Sequence, residues 1–301
     1  MAGFLITGGT GFIGSQLVRG LVSAGHTVVV LTRDPARHKG RYGDQVRYIA
    51  DFDAIANNTH FTAVINLAGE GIGDKRWSRV RKQALLDSRV KLTGKLIQLL
   101  ERLETRPAVM FSGSAVGWYG AHDDAPLTET SAFNPEFTHD LCQAWEDEAA
   151  RVKALGIRLC IVRLGIVLGR NGGVLKRLLP PFRFGLGGRI GSGRQVMSWV
   201  HLDDVLKAIN FLVNRTDLDG VFNLTAPRAV SNADFTRGIG LALSRPTLMP
   251  LPGFMVRLLF GEMGDRLLLQ GQNVKPARLQ AAGFIFDYPV VEEAFADILI
   301  R

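Results

Sequence analysis

The chain has few cysteines and no long hydrophobic run. Cys142 and Cys160 are its only two cysteines in 301 residues, which excludes a disulfide scaffold and favours a reducing compartment, so a cytoplasmic location is expected. No apolar stretch approaches the ~20 residues of a membrane-spanning helix. The first residues lead directly into a strand pattern, without the features of a secretory signal. A membrane is therefore not expected as a partner.

Clusters of like charge are also missing. The formal net charge is +8, but the basic residues are dispersed, and no basic run is flanked by stacking aromatics. Nucleic acid is therefore not expected as a partner, and no metal site is predicted. A positive bias also suits an enzyme for phosphorylated or nucleotide-linked substrates, or it carries no functional message. The hydrophobic content of 47% suffices for one large domain or two unequal ones.

A glycine-rich turn near the start is the most informative motif. Thr7–Gly14 follows an apolar strand at Phe4–Ile6 and leads into a helical pattern over 14–24. Gly25 suits the helix end, and a second strand follows at Val28–Leu31. Glycines in this context let the backbone approach a pyrophosphate at a helix N-terminus, although such turns also simply end strands. The predicted cofactor contacts in this turn are Gly8, Thr10, Gly11, Phe12, Ile13 and Gly14.

The end of the second strand indicates which dinucleotide is bound. An acidic residue there would hydrogen-bond the ribose 2′-hydroxyl of NAD. This chain has Thr32 and Arg33 instead, and an arginine suits the 2′-phosphate of NADP. Asp34 follows one position later and keeps NAD open, and a solvated loop charge is the alternative for Arg33. The predicted cofactor is NADP (NADPH).

Strand and helix patterns alternate along the first two thirds of the chain. Long helical patterns cover 78–104 and 140–155, with Asp140 as the cap of the second, and Asp203 and Ser231 are predicted to cap later helices. The pattern after Pro246 is short and irregular. Strands are predicted at Phe4–Thr7, Val28–Leu31, Val46–Ile49, Ala63–Leu67, Ala108–Phe111, Arg158–Leu164, Val196–Val200 and Phe222–Leu224.

This alternation predicts an α/β fold with a doubly wound parallel Rossmann sheet. We expect an NADP-binding domain at residues 1–165, to which residues 196–226 return. Residues 166–195 and 227–301 are expected to form a smaller C-terminal domain on the substrate side.

Several motifs together resemble the extended short-chain dehydrogenases/reductases. These are the Thr7–Gly14 turn, Asn66–Gly69, Ser112–Ala115, Gly191–Gly193 and Trp199–Asp204. The chain is more closely similar to the atypical epimerase-family subgroup, through Arg76–Ser78, Ser88–Arg89, Trp145–Glu146, Gly165–Gly169, Gly261–Gly264 and Gly271–Gln272. The resemblance covers essentially the whole chain. It implies that Leu67, Ala68, Gly69, Arg89 and Val167 also contact the cofactor, although Arg89 could instead be a helix-surface charge.

One element of that family is absent. The wider family uses a tyrosine with a lysine four residues later, because the cation lowers the cost of a phenolate. None of the four tyrosines here has that lysine. Ser114 is the first candidate to hold the substrate oxygen, and Tyr119 is the second, if it swings into the cleft.

The helix expected to carry the missing pair contains other reactive side chains. His139 could act as a base but more often would be a surface histidine. Cys142 is more typical of a buried apolar side chain than of a nucleophile. Trp145 and Glu146 are interpreted as a packing residue and a surface charge.

Two functions remain open from the sequence. The first is an NADP(H)-binding epimerase/dehydratase-like oxidoreductase that acts on a small hydroxylated substrate, free or nucleotide-linked. The second is a catalytically inactive NADPH-binding regulatory or interaction protein, for example one related to cell division. A homodimer is expected only by analogy with relatives that pair the corresponding helices.

Overall fold

The computed structural model describes residues 2–122, 124–170 and 172–300. The strands are β1 Gly3–Thr7, β2 Thr27–Leu31, β3 Val46–Ile49, β4 Ala63–Asn66, β5 Val109–Ala115, β6 Pro126–Leu127, β7 Arg158–Leu164, β8 Ile166–Leu168, β9 Val196–Met197, β10 Trp199–His201, β11 Gly220–Leu224, β12 Val230–Ser231 and β13 Asn273–Val274. The helices are α1 Phe12–Ser23, α2 Arg79–Asp87, α3 Val90–Arg102, α4 Phe137–Ala150, α5 Leu175–Arg183, α6 Leu202–Asn214, α7 Asn232–Leu243, α8 Gly253–Leu268, α9 Ala277–Ala281 and α10 Val291–Phe295.

Seven strands form one parallel sheet in the order β11-β7-β5-β4-β1-β2-β3. Every neighbouring pair is parallel, so the carboxyl ends of all seven strands lie along one edge. The strand order reverses between β1 and β4, which is where ligands bind in open parallel sheets. The predicted doubly wound parallel fold is therefore confirmed.

Helices cover both faces of this sheet because its strands are apolar on both sides. On one face, α1 and α6 pack against Ile6, Phe111 and Phe222. On the other face, α3 and α4 pack against Leu5 and Met110. Neighbouring residues of a strand point to opposite faces, so each strand contributes to both cores.

The helical pattern predicted for 78–104 is two helices rather than one. α2 ends at Asp87 and α3 begins at Val90. Ser88 explains the interruption, because its hydroxyl donates to Leu85 O (2.9 Å) and accepts from Glu70 N (3.1 Å). Arg89 is thereby held at the N-cap of α3.

Two of the three predicted helix caps were wrong. The side chain of His201, not that of Asp203, caps α6 by accepting a hydrogen bond from Asp203 N at 3.1 Å. Asp140 lies in the first turn of α4, whose N-cap is Glu136. Ser231 caps α7 as predicted, accepting from Asp234 N at 3.1 Å.

The C-terminal region attaches to the sheet at several points. β13 pairs with β6, and α9 packs on β11, so that Leu279 and Phe284 join the core that α1 and α6 cover. The predicted strand at Val196–Val200 is two short strands, of which β9 pairs with β12 and β10 pairs with β8. The irregular pattern predicted after Pro246 is wrong for α8, a helix of 16 residues with a kink at Gly261.

No helix in the described part of the chain is long and apolar enough to cross a membrane.

Candidate cofactor cleft and active site

The glycine-rich turn packs tightly against the loop that follows β4. Gly8 has a φ of +72°, and a Cβ atom there would lie 2.7 Å from the Leu67 carbonyl and 2.8 Å from Ala68 N. A Cβ atom at Gly14 would lie 2.2 Å from Gly8 O, while Gly11 N donates to that same oxygen at 3.0 Å. Only glycine fits these positions, and the turn places the free amides of the α1 N-terminus at the sheet edge.

The exposed part of the turn is open to a ligand. Thr10 and Gly11 are exposed, and Ile13 is half-buried. The first turn of α1 contains no acidic residue, so nothing on the helix opposes an anion at its positive end.

The end of β2 presents a cation rather than a carboxylate. Thr32 is half-buried and Arg33 is exposed, and the Arg33 guanidinium has no ion pair or hydrogen bond among the described residues. The Asp34 carboxylate instead accepts from Arg37 N at 3.2 Å within its own turn. The local charge at this strand end therefore suits a phosphate.

Phe12 connects the start of α1 to the loop that follows β8, the strand that contains Val167. Cβ atoms at Gly169 and Gly172 would lie within 2.9 Å and 2.1 Å of the Phe12 ring. Val167 belongs to β8 and pairs with Val200 of β10. The predicted contact at Val167 is thus placed beside the glycine turn.

Polar side chains tie together the ends of β1, β4 and β5. Thr7 donates to Asn66 Oδ1 at 2.7 Å, and Asn66 Nδ2 donates to Thr93 Oγ1 at 2.9 Å and to Ser112 Oγ at 3.3 Å. Ala68 N donates to Thr7 Oγ1 at 3.2 Å. Because these groups are buried and satisfied, they fix the course of residues 66–69 along the sheet edge.

Arg89 lies directly on that segment. A Cβ atom at Gly69 would lie 2.8 Å from the Arg89 guanidinium carbon, and the guanidinium donates to the carbonyls of Glu70 (2.9 Å) and Leu85 (3.2 Å). It also lies over the Trp145 ring at 5.3 Å. Burial lowers the pKa of Arg89, but the group remains a cation, and it faces carbonyls rather than a carboxylate.

Ser114 is held by a buried ion pair. It is 3% exposed, and its hydroxyl donates to Glu146 Oε1 at 2.6 Å. Arg163 donates to both oxygens of that carboxylate, from Nε to Oε1 at 2.9 Å and from Nη2 to Oε2 at 2.8 Å. Burial alone would lower the pKa of Arg163, but its hydrogen bonds and charge pairing with Glu146 outweigh burial and raise it. The guanidinium also stacks on the Trp118 ring at 3.4 Å.

Tyr119 lies in the core beside this ion pair. It is 0% exposed; its hydroxyl donates to Asn223 Oδ1 at 2.7 Å and accepts from Arg163 Nη1 at 3.3 Å. Burial raises the pKa of the phenol against the opposing effect of Arg163. Ser114, Glu146, Arg163, Tyr119 and Asn223 therefore form one continuous buried chain, which we call the Ser114–Asn223 network.

The other reactive groups on α4 are packed away from solvent. His139 stacks on Phe133 with ring centroids 3.6 Å apart, and its Nδ1 lies 2.6 Å from the Trp118 carbonyl. Cys142 is fully buried, and burial followed by the charge of Glu146 raises its pKa to about 11. A thiol with that pKa is not a nucleophile near neutral pH.

Glu146 and Arg163 were missed as site residues. The interpretation of Glu146 as a surface charge was wrong, because it is 7% exposed and paired. The sequence signal for this pair is Arg163, a charged residue within the otherwise apolar segment 159–164, because a buried charge needs a partner. Trp145 packs in the core as predicted, donating to Thr93 Oγ1 at 3.1 Å.

The sheet order, the glycine turn after β1 and the cation after β2 define a dinucleotide-binding protein of the α/β class. The sequence model of the NAD dependent epimerase/dehydratase family matches residues 4–225, and the chain belongs to that family. A second model, described as a domain of unknown function (DUF1731), matches residues 251–298.

Known relatives resemble the chain over nearly its whole length. An epimerase family protein of Mycobacterium bovis is 39% identical over 290 residues, covering 96% of this chain and 95% of the relative. The chloroplastic SDR39U1 homolog of Arabidopsis thaliana is 35% identical over 305 residues, covering 98% of this chain and 86% of the relative.

A solved structure is similarly close. The human epimerase family protein SDR39U1 (isoform 2), crystallised with NADPH, superposes with a TM-score of 0.90 at 33% identity and 99% coverage of both chains. The fold is also that of MoeE5 in complex with UDP-glucuronic acid and NAD, at a TM-score of 0.80 and 22% identity, with 99% of this chain and 97% of the other covered.

Proposed function

We propose that the chain binds NADPH at the carboxyl edge of the sheet and acts as an oxidoreductase or epimerase on a small hydroxylated substrate, free or nucleotide-linked. The observation that carries the proposal is the assembly of the glycine turn, Leu67–Gly69, Arg33 and Arg89 at one edge. The relationship to a human protein crystallised with NADPH supports the choice of cofactor.

The residues present fit a dinucleotide. Gly8 and Gly14 form a cradle that a Cβ atom would fill, so the amides of Phe12, Ile13 and Gly14 in the first turn of α1 are available to a pyrophosphate. Thr32 and Arg33 suit the 2′-phosphate. Leu67, Ala68, Gly69 and Arg89 would line the ribose side, and Val167 the nicotinamide side. When bound, NADPH supplies or accepts the hydride.

Ser114 would contact the reacting oxygen of the substrate. Its proton is committed to Glu146, so the oxygen offers only lone pairs and accepts a hydrogen bond from a substrate hydroxyl. The proton that leaves that hydroxyl can pass along the Ser114–Glu146 hydrogen bond. Tyr119 would first have to leave Asn223 and Arg163, so we place Ser114 ahead of it.

Cofactor choice is the first test. The purified protein is titrated separately with NADPH and NADH while nicotinamide fluorescence is followed. Tight binding of NADPH with weak binding of NADH supports the proposal, and binding of neither cofactor contradicts it. With the oxidised cofactor NADP+ bound as hydride acceptor, turnover of hydroxylated sugars and sugar nucleotides that Ser114→Ala abolishes would establish the oxidoreductase.

The second candidate is an NADPH-binding regulatory or interaction protein without turnover. Two observations favour it. The chain lacks the tyrosine–lysine pair, and the polar groups of the Ser114–Asn223 network are buried and hydrogen-bonded to one another. Tight NADPH binding without turnover of any substrate, together with a protein partner whose capture depends on the reduced cofactor, would support it over the enzyme. A small-molecule substrate, a homodimer and a cytoplasmic location remain predictions.

A further inference from the structure

One part of the surface exposes large apolar side chains in unusual density. Eight of the thirteen exposed large hydrophobic residues of the described chain fall in two segments, 184–186 and 248–259. We call these eight side chains the α8 surface. They are Phe184, Leu186, Leu248, Met249, Phe254, Met255, Leu258 and Leu259.

The two segments lie side by side. Met249 N donates to Gly187 O at 3.2 Å and Leu251 N donates to Arg189 O at 2.9 Å, while Gly191 N donates to Leu251 O at 2.8 Å. Helix α8 begins directly after this pairing. The exposed side chains therefore belong to one continuous region rather than to separate loops.

The first half of α8 is a helix without a polar outer face. Of residues 253–260, only Val256 is fully buried, whereas Phe254 and Leu258 are 69% and 70% exposed. Arg257 is the only charged residue in this half. A surface helix of a soluble domain normally turns polar side chains to water, and a contiguous exposed apolar area marks an interaction site.

Basic side chains outnumber acidic ones around this surface. Residues 172–202 and 235–261 contain eight lysines and arginines and no acidic residue, and Asp203, Asp234 and Glu262 adjoin these ranges. Three of these arginines pair with carboxylates of neighbouring segments, namely Arg177, Arg237 and Arg257. The other five have no carboxylate partner among the described residues: Lys176, Arg183, Arg189, Arg194 and Arg245.

We propose that the α8 surface docks on an anionic phospholipid bilayer, with its apolar side chains in the interface and its arginines against lipid phosphates. Apolar burial and attraction to anionic headgroups are the two forces that hold such a surface on a membrane. This mode needs no spanning helix, so it is compatible with the helix lengths observed.

The charge argues against a second copy of the chain as the occupant. Two copies joined symmetrically through this surface would bring the same unpaired cations together, which is unfavourable. An anionic bilayer buries the apolar side chains and attracts the cationic ones.

Vesicle co-sedimentation tests the proposal with the full chain. Vesicles of phosphatidylcholine with phosphatidylglycerol are compared with vesicles of phosphatidylcholine alone, at low and high salt. We expect binding only to the anionic vesicles, weakened by salt. F254S/L258S should abolish binding, and R183Q/R189Q should weaken it by roughly tenfold or more, because each charge near an anionic surface contributes about 1 kcal/mol.

Matched variants elsewhere on the surface serve as controls. V80S/I285S removes two other exposed apolar side chains, 80% and 74% exposed, and K95Q/K153Q removes two other charges; both should bind as the unaltered chain does. Thermal unfolding checks that all variants are folded. Absence of binding to anionic vesicles, equal loss in the controls, or self-association that F254S/L258S abolishes would overturn the proposal.

Discussion

At the scale of single residues, the structure separates cofactor recognition from the Ser114–Asn223 network. Arg33 and Arg89 are cations without carboxylate partners in the described residues, at the edge where a phosphate is expected. Arg163 differs from both, because it is buried and forms an ion pair with Glu146. Arg33 is exposed to a ligand, Arg89 is hydrogen-bonded to the Glu70 and Leu85 carbonyls beside the cleft, and Arg163 supports the fold beneath Ser114.

Arg33 should set the preference for NADPH over NADH. In Arg33→Ala, NADPH should bind about 10- to 100-fold more weakly, because a charge-assisted phosphate contact contributes about 1.5–3 kcal/mol. NADH affinity should hardly change. Fluorescence titration measures both, with the exposed Arg19→Ala as the control. An equal loss of affinity for both cofactors would show that Arg33 does not recognise the phosphate.

The Glu146–Arg163 pair should behave as a unit in stability measurements. Glu146→Gln or Arg163→Met alone should lower the free energy of unfolding by about 3–5 kcal/mol, because each leaves a buried charge unpaired. The double variant should lose much less than the sum. Urea unfolding of the two single variants and the double variant measures this double-mutant cycle. As the control, Arg151→Met breaks an exposed ion pair with Glu148 and should lower the free energy of unfolding by less than ~1 kcal/mol. Additive losses would contradict the coupling.

Sequence reasoning predicted the tight glycine turn that the structure shows, and it missed the Glu146–Arg163 pair for a physical reason. The glycine turn and Arg33 are local features, in which spacing along the chain decides the geometry. Glu146 and Arg163 come from a helix and a strand that meet only when the sheet forms, so no local pattern pairs them. Tyr119 illustrates the same limit, because its contact with Asn223 spans 104 residues of sequence.

At the scale of elements, strand positions were predictable and helix ends were less so. Apolar runs such as Val28–Leu31 mark buried parallel strands directly. The break at Ser88 depends on a hydrogen bond to Glu70, 18 residues away, and His201 is an unusual capping residue. Predictions from propensity therefore missed the helix ends that tertiary contacts decide.

Helix α1 packs so closely against the glycine turn that no methyl group should fit at Gly14. Gly14→Ala should abolish NADPH binding, since its Cβ atom would displace α1 from Gly8 O. Gly20→Ala in the same helix meets no atom within 4 Å and should stabilise the chain by up to about 1 kcal/mol without affecting binding. Fluorescence titration and thermal unfolding distinguish the two. Equal NADPH affinities of Gly14→Ala and Gly20→Ala would contradict the steric explanation.

The cap of α6 should make stability depend on pH. Burial lowers the pKa of His201 below 6.5 despite Asp203, Asp297 and Asp204 nearby. The folded state therefore favours neutral His201, and its contribution to stability is present above pH 6.5 and is lost as the pH falls through the lowered pKa.

Urea unfolding from about pH 7.5 to about pH 5.5 measures this dependence. His201→Asn keeps a capping acceptor but does not titrate, so its stability should fall less steeply. The pKa of Asp204 is raised by burial, so protonation of Asp204 favours the folded state as the pH falls. This effect is present in the unaltered chain and in His201→Asn alike. Parallel pH profiles would exclude His201 as the titrating group.

At the scale of the whole molecule, Leu279, Phe284 and Phe286 tie the C-terminal region to the main core, whereas α7 and α10 pack in a separate cluster. Leu279 is fully buried in the same cluster as Ile6 and Phe111, and Arg278 lies over the Phe222 ring at 4.3 Å. Leu279→Ala should therefore lower the global free energy of unfolding by about 2–5 kcal/mol.

This loss should appear in signals from the other end of the chain. Trp77, Trp118 and Trp145 precede residue 150, and their fluorescence reports the sheet and its helices, whereas Trp199 packs with Phe235 and Phe295. A single shifted transition in Leu279→Ala is expected, while Ile285→Ala, at an exposed position, should change little. A separate early transition that changes at most the Trp199 signal would mean that the C-terminal region unfolds by itself.

The attachment of β13 to β6 and of α9 to β11 also has a consequence during synthesis. A nascent chain leaves the ribosome from its amino end, so all seven strands of the sheet emerge before residues 273–281 can cover β11 and pair with β6. At about 5–20 residues per second, the outer strand stays uncovered for several seconds. The chain should therefore need protection from aggregation mainly in that interval, and a slower ribosome would lengthen it.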